Sequence, residues 1–243
     1  MSAAAGGALG SGPQPDRARL AVVFLNGEYD EPAYFCGWAQ AAELVIAADG
    51  GARFLLAHEI RSDVVVGDFD SLPAAAVERL EAAGVELVRH PVRKDRTDGE
   101  MAAAEALRRG AGELVLVGAL GALDHTLGQR AILRRLAARG VAARLAAPRL
   151  TVRVFAAPAE TRLDAPAGTR VSIVPLQGDA RVTLQGFDYP LRRGVLPQDT
   201  CLGLGNAVVA AARILVHEGV VAALVEDGDE AFGGARRGRT AAS

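Results

Sequence analysis

Cysteine is nearly absent: Cys36 and Cys201 are the only two in 243 residues. A pair so sparse and so far apart supports neither a disulfide framework nor a Cys-x-x-Cys metal knuckle, and it fits a reducing, cytoplasmic compartment. Charge of one sign is not in excess either. A formal net charge of −2, with basic residues spread along the chain, leaves no electrostatic footprint for nucleic acid or an anionic membrane, so a small-molecule partner is expected. Long apolar runs are missing too. The most apolar late stretch, Ala207 to Val225, is broken by Arg213, His217 and Glu218, well short of the roughly 20 residues of a membrane-spanning helix. The opening MSAAAGGALGSGPQPDRAR lacks the basic start and apolar core of a signal peptide and, like the closing GGARRGRTAAS, reads as a disordered tail. Neither G-x-x-x-x-G-K-[ST] nor a G-x-G-x-x-G after the first apolar run is present, which argues against a P-loop NTPase and an ordinary dinucleotide dehydrogenase.

What the chain does have is a rhythm that changes once. From Leu20 to about Ala147 short apolar runs (LAVVFL, ELVIAA, DVVVGD, VELVRH, ELVLVG, VAARLAA) alternate with helical patterns around Glu31–Ala42, Ala52–His58, Ala74–Ala83, Gly99–Arg109 and His125–Arg139. Strands buried on both faces and joined by helices make a parallel α/β sheet, whose ligands collect at the carboxyl ends of its strands. After Pro148 come strand-like pieces separated by Pro, Gly and Asp turns, the pattern of a small all-β sandwich. From Asn206 onward the pattern fits either a helix or a strand. The expected division is a tail over 1–18, an α/β unit over 19–148, a β-sandwich over 149–228 and a tail over 229–243, with no internal repeat.

Acidic clusters stand at the expected strand ends. In Ala48-Asp49-Gly50-Gly51-Ala52 the glycines permit close approach to a phosphate or ribose ahead of a helix N-terminus, or form a tight turn with Asp49 as N-cap. In Gly67-Asp68-Phe69-Asp70-Ser71 the two aspartates, two apart in extended chain, point to one site, where Mg²⁺ between them and substrate phosphates relieves their repulsion. Ser71 can instead start the helix near Pro73. Lys94, Asp95, Arg96, Thr97, Asp98 and Glu100 interleave cations for phosphate oxygens with carboxylates for a metal, and Thr97 with Glu100 also fits a capping box. Lys94 is the only lysine in the chain, and a flexible point charge on phosphate is a role that Arg fills less well. In Gly118-Ala119-Leu120-Gly121-Ala122-Leu123-Asp124-His125, Asp124 is placed to cap a helix, and His125 to touch a nucleotide or lie on the helix surface.

Taken in order, ADGGA, GDFDS, KDRTDGE and G-x-x-G…LDH resemble the motif series of the thiamine pyrophosphokinase family. VSIVPL, GFDYPL and Gly205-Asn206 resemble its β-domain signatures. The resemblance implies an N-terminal α/β domain that binds ATP and Mg²⁺ and a C-terminal β-sandwich that completes a thiamine pocket at a homodimer interface. Residue by residue it implies Asp68, Asp70, Asp95 and Asp98 at the metal and phosphate site. Asp49, Gly50, Gly51, Ser71 and Thr97 would be on the nucleotide side, Lys94 and Arg96 on the triphosphate, Asp124 and His125 in the same cleft, and Gly205 with Asn206 at thiamine. The chain departs from the family pattern at Gly121-Ala122-Leu123, which is one residue shorter and lacks an Arg, at Gln129 in place of Asn, and at Gly205 and Ala207 around Asn206. The implied reaction is attack of the thiamine hydroxyl on the β-phosphorus of ATP, with loss of AMP. Its rivals are a pyrophosphokinase for another alcohol and a non-catalytic nucleotide- or thiamine-binding module.

Overall fold

The computed structural model describes residues 19–91 and 96–227; the expectations for Lys94, Asp95 and both tails lie outside the described residues. Six strands form a parallel sheet: β1 (Leu20–Phe24), β2 (Leu44–Ala48), β3 (Val64–Gly67), β4 (Glu86–Arg89), β5 (Glu113–Val117) and β6 (Ala142–Ala147). Their spatial order is β4-β3-β2-β1-β5-β6. The order reverses between β1 and β5, where a crevice opens at the carboxyl ends of the strands.

Helices cover both faces, which is why the inner strands β1, β2 and β3 read as unbroken apolar runs. On one face lie α1 (Pro32–Ala41), α2 (Ala52–Ala57) and α3 (Ala74–Ala82), packing Phe35, Trp38, Leu55 and Leu80 against Val22, Val45 and Val65. On the other lie α4 (Asp98–Arg108) and α5 (Leu123–Ala137), packing Ala102, Ala106, Ile132 and Leu136 against Val23, Ile46 and Leu116. Each helix falls within two residues of its expected position, the usual looseness of a helix end.

The second half is antiparallel: β7 (Leu150–Ala156), β8 (Ala159–Leu163), β9 (Arg170–Pro175), β10 (Ala180–Phe187), β11 (Leu191–Leu196), β12 (Asn206–Glu218) and β13 (Val220–Glu226). The segment from Asn206, open between helix and strand in the sequence, is a 13-residue strand. Its Ala212, Ile214 and Val216 point inward at period two, and β10 and β8 pair with its two edges. Those pairings override the helical preference of its alanines. The first residues of β12 pair with β9 instead, so the strand passes from one layer of the sandwich to the other over a core of Ile173, Val182, Leu184, Phe187 and Ile214. The sandwich is not hung on a linker. β7 adds antiparallel to β6, and β13 and β9 continue the same sheet.

Candidate functional site

Strand β2 ends at Ala48 and the chain enters a single 3-10 turn, Asp49–Gly51. Asp49 sits there with φ 43°, in the left-handed region. It does not cap α2, which has no side-chain cap bond. Its carboxylate is buried: Oδ2 accepts a hydrogen bond from the Ser71 hydroxyl, while Oδ1 is buried with no hydrogen-bond partner. Ser71, correspondingly, does not start α3, whose N-cap is Pro73 without a side-chain bond.

The two glycines of the turn serve packing. A β-carbon on Gly51 would lie 2.1 Å from the Phe24 carbonyl oxygen, and one on Gly50 would lie 2.4 Å from Asn26 Oδ1. Both positions are buried, and the cleft is lined by Ala48 and Asp49 on this side.

After β3 the two aspartates converge by a route other than the extended chain expected. Phe69 takes φ 65°, and the Asp70 N–H donates to Asp68 Oδ1 at 3.2 Å. Phe69 is thereby turned into the core, with the Arg89 guanidinium 4.7 Å from its ring centroid. The turn draws both side chains toward Asp49, so that Asp49, Asp68 and Asp70 each offer an oxygen within 4.8 Å of the others. The Asp70 carboxyl is held above its ordinary range, first by the Asp68 charge, then by desolvation and the hydrogen bond to Asp68, with Asp49 and Asp98 adding to it. Three carboxylates this close conflict unless a cation or protons intervene.

Across the cleft stand the first turns of α4 and α5. The capping box at α4 forms as expected: Glu100 N–H donates to Thr97 Oγ1 at 3.2 Å and Thr97 N–H to Glu100 Oε2 at 3.1 Å. Thr97 and Asp98 line the cleft, although Asp98 is not in the 4.8 Å group. Arg96 lines a groove between α4 and α5 with Glu100 and Arg135. At α5 the N-cap is Ala122, not Asp124; Asp124 Oδ1 accepts from the His125 N–H at 2.8 Å. Asp124, His125, Gly128 and Gln129 form this wall of a cleft of about 500 Å³, within the range of small-molecule sites. A recess of about 230 Å³ adjoins it between the loops after β1 and β5 and shares Asn26, His125 and Gln129.

Asn26 escaped the sequence reading. The Arg53 guanidinium donates to Asn26 Oδ1 at 3.1 Å and to the Gly50 carbonyl at 3.4 Å, tying the loops after β1 and β2 together. The available signal was a polar Asn-Gly directly after the first buried strand. In the β half, Asn206 holds backbone: Oδ1 accepts from Tyr189 N–H at 3.0 Å and Ala207 N–H at 2.9 Å, and Nδ2 donates to the Tyr189 carbonyl at 2.9 Å. Gly205 takes φ 68° and donates its N–H to Ser172 Oγ at 3.1 Å. Both lie apart from the cleft lining, near the exposed Tyr189, Leu202 and Leu204.

Two family models match the chain: "Thiamin pyrophosphokinase, catalytic domain" over residues 36–145 and "Thiamin pyrophosphokinase, vitamin B1 binding domain" over residues 160–221. A curated relative, thiamine pyrophosphokinase of Bacillus subtilis, is 28% identical over 176 residues, covering 71% of this chain and 82% of its own. Among solved structures, a thiamine pyrophosphokinase from Bacillus subtilis superposes with a TM-score of 0.74 at 23% identity, covering 86% of this chain and 99% of that one. The yeast thiamin pyrophosphokinase superposes with a TM-score of 0.72 at 14% identity, covering 88% and 87%.

Proposed function

Since the chain belongs to the thiamin pyrophosphokinase family, we propose that the cleft at the ends of β1, β2 and β3 is where it transfers the pyrophosphoryl group of ATP to thiamine. The observation that carries this placement is the convergence of Asp49, Asp68 and Asp70 around a buried, unpartnered Asp49 oxygen. A hard divalent cation fits that donor set: it takes oxygen ligands and, in nucleotide enzymes, is shared between one or two carboxylates and substrate phosphates. Magnesium there would neutralise charge on the triphosphate as the bond to the leaving AMP breaks.

The chain's own residues supply position. The thiamine hydroxyl oxygen bonds to the β-phosphorus, the bond from that phosphorus to the α–β bridging oxygen breaks, AMP leaves with the electron pair, and the hydroxyl proton passes to solvent. The first turns of α4 and α5 face the phosphates, where the positive end of a helix favours anions. Thr97 and His125 border the same space, and the recess beside Asn26 has room for the nucleoside. The family resemblance assigns Lys94 and Arg96 to the triphosphate; Lys94 lies outside the described residues, and Arg96, in the groove between α4 and α5, would have to turn toward the cleft to serve there.

The acceptor's ring would be completed by a second copy of the chain. Gly205 and Asn206 do not line the cleft in one chain, whereas Leu123 and Leu127 on α5 and Tyr189, Leu202 and Leu204 on the β half are exposed apolar side chains, which supports a homodimer. No helix among the described residues is long and apolar enough to cross a membrane. Both cysteines are free, which supports a cytoplasmic location.

The test is AMP release from ATP and Mg²⁺ with thiamine. Wild-type protein should release AMP only when all three are present, and Asp70→Asn should lose at least about a hundredfold in kcat, the scale of losing one preorganised electrostatic group. Unchanged kcat in that variant removes the carboxylate cluster from the reaction. AMP formed only with a different primary alcohol replaces thiamine as acceptor.

A further inference from the structure

We propose that Ser71 is a positioning residue for the cation site: its hydroxyl fixes one oxygen of Asp49 so that the other is presented, unpaired, to the space shared with Asp68 and Asp70. The inference rests on the cation reading of that cluster. Three independent features converge on it.

Asp49 is 7% exposed, yet Oδ1 has no hydrogen-bond partner. A buried carboxylate oxygen without a donor is costly, and a native protein retains one where something else completes it. The direction of the bond from Ser71 matters as well. The hydroxyl donates to Oδ2, so that oxygen is tethered and Oδ1 is the one left without a protein donor. Lastly, the backbone is arranged for this one rotamer. Asp49 holds φ 43°, and the absent β-carbon of Gly67, which would stand 2.9 Å from the Asp49 β-carbon, leaves room for the side chain over the end of β3.

A nucleotide contact would leave the Ser71 hydroxyl facing the cleft for its ligand. Here that hydroxyl is committed to Asp49, so its removal should act on cation affinity first. Partners that orient metal ligands typically account for tenfold to a hundredfold in affinity.

The measurement is Mn²⁺ binding, followed by electron paramagnetic resonance with the non-cleavable nucleotide α,β-methylene-ATP present and absent. The set comprises the wild type, Ser71→Ala, Ser71→Thr and Asp49→Asn, with melting of the cation-free proteins alongside. Ser71→Ala should bind Mn²⁺ at least about tenfold more weakly with or without nucleotide, Ser71→Thr should restore most of the affinity, and Asp49→Asn should bind most weakly. Wild-type affinity in Ser71→Ala, with Asp49→Asn impaired, overturns the positioning role and leaves the cation reading standing. Absence of Mn²⁺ binding to the wild type in both conditions overturns the cation reading and the positioning role with it. A loss in Ser71→Ala seen only with nucleotide present makes Ser71 a nucleotide contact and also overturns the proposal. Should Ser71→Ala melt below the assay temperature, Ser71→Cys, which keeps the size but donates weakly, takes its place with the same expected loss.

Discussion

At Gly67 a β-carbon would stand 2.9 Å from the Asp49 β-carbon and 3.2 Å from its Oδ1. Gly67→Ala must therefore displace the Asp49 side chain, and a shift of even about 1 Å at a positioned group costs roughly a hundredfold in rate. Steady-state kinetics should show that loss in kcat, with far-ultraviolet dichroism unchanged; wild-type kcat would show that the Asp49 position is unimportant. Asp70 gives a prediction of a different kind. Its carboxyl is raised above the ordinary range, chiefly by Asp68. Such a group favours folding while it is protonated. Its contribution is complete below the unfolded-state value and is lost as pH rises through the higher folded-state value. In EDTA the wild type should lose melting temperature as pH climbs through that window. Asp70→Asn, which cannot ionise, should lose less, and Mg²⁺ should raise the wild type more than the variant. Parallel melting curves for the two proteins would refute this. The aspartates after β3 were legible because acidic pairs at a strand end have few structural uses. The Asp49–Ser71 bond was not: it joins residues 22 positions apart, and Asn26–Arg53 joins residues 27 apart.

Helix α4 shows which parts of an element a sequence announces. Its capping box lies within four consecutive residues, so Thr97 and Glu100 could be paired by spacing alone. The opposite was true of β12, where Ala207–Ala212 suits a helix or a strand and only the neighbouring β8 and β10 decide. At the far end of α4, Glu105 accepts from Arg108 at 2.8 and 2.6 Å and from Arg109 at 2.6 Å. Arg109 also reaches Glu86 on β4 at 2.7 Å, so this cluster anchors the helix that carries Asp98. The Glu105 pKa is lowered to about 2, chiefly by the hydrogen bond from Arg108. A depressed carboxyl stabilises the fold above its unfolded value, and the benefit fades as pH falls through the folded one. Glu105→Gln should therefore be less stable than the wild type by about 1 kcal/mol at neutral pH, the scale of a partly exposed ion pair. Urea titrations should show the gap closing as pH falls toward about 2. A gap independent of pH would mean that packing, not charge, anchors this end of α4.

Across the whole molecule the alternation of strands and helices followed by strands alone was legible, because hydrophobic period records which faces are buried. The join between the halves was not, since nothing local to Ala147 or Leu150 says that β7 pairs with β6. That pairing sets Arg144 opposite Arg153. Arg144 is 2% exposed, ion-paired to Glu113, and its guanidinium lies 5.8 Å from the Trp38 ring centroid. Trp38 belongs to the core under α1, while Phe155, two residues beyond Arg153 on β7, packs against the sandwich core and holds the Arg153 guanidinium 5.4 Å from its ring. The cation–carboxylate cluster thus lies where the two cores meet, and the sheet runs through it unbroken. A shared sheet couples the halves, so urea unfolding of the wild type should be a single transition whether followed by Trp38 fluorescence, which reports the first half, or by backbone dichroism, which reports both. Arg144→Ala strips the half-buried Glu113 carboxylate of its partner and leaves a cavity beside Trp38, a change expected to cost roughly 2 kcal/mol. If the seam is what couples the halves, the variant's fluorescence transition should move to lower urea than its dichroism transition; two coincident curves shifted together would mean that the β6–β7 backbone pairing suffices to hold them as one unit.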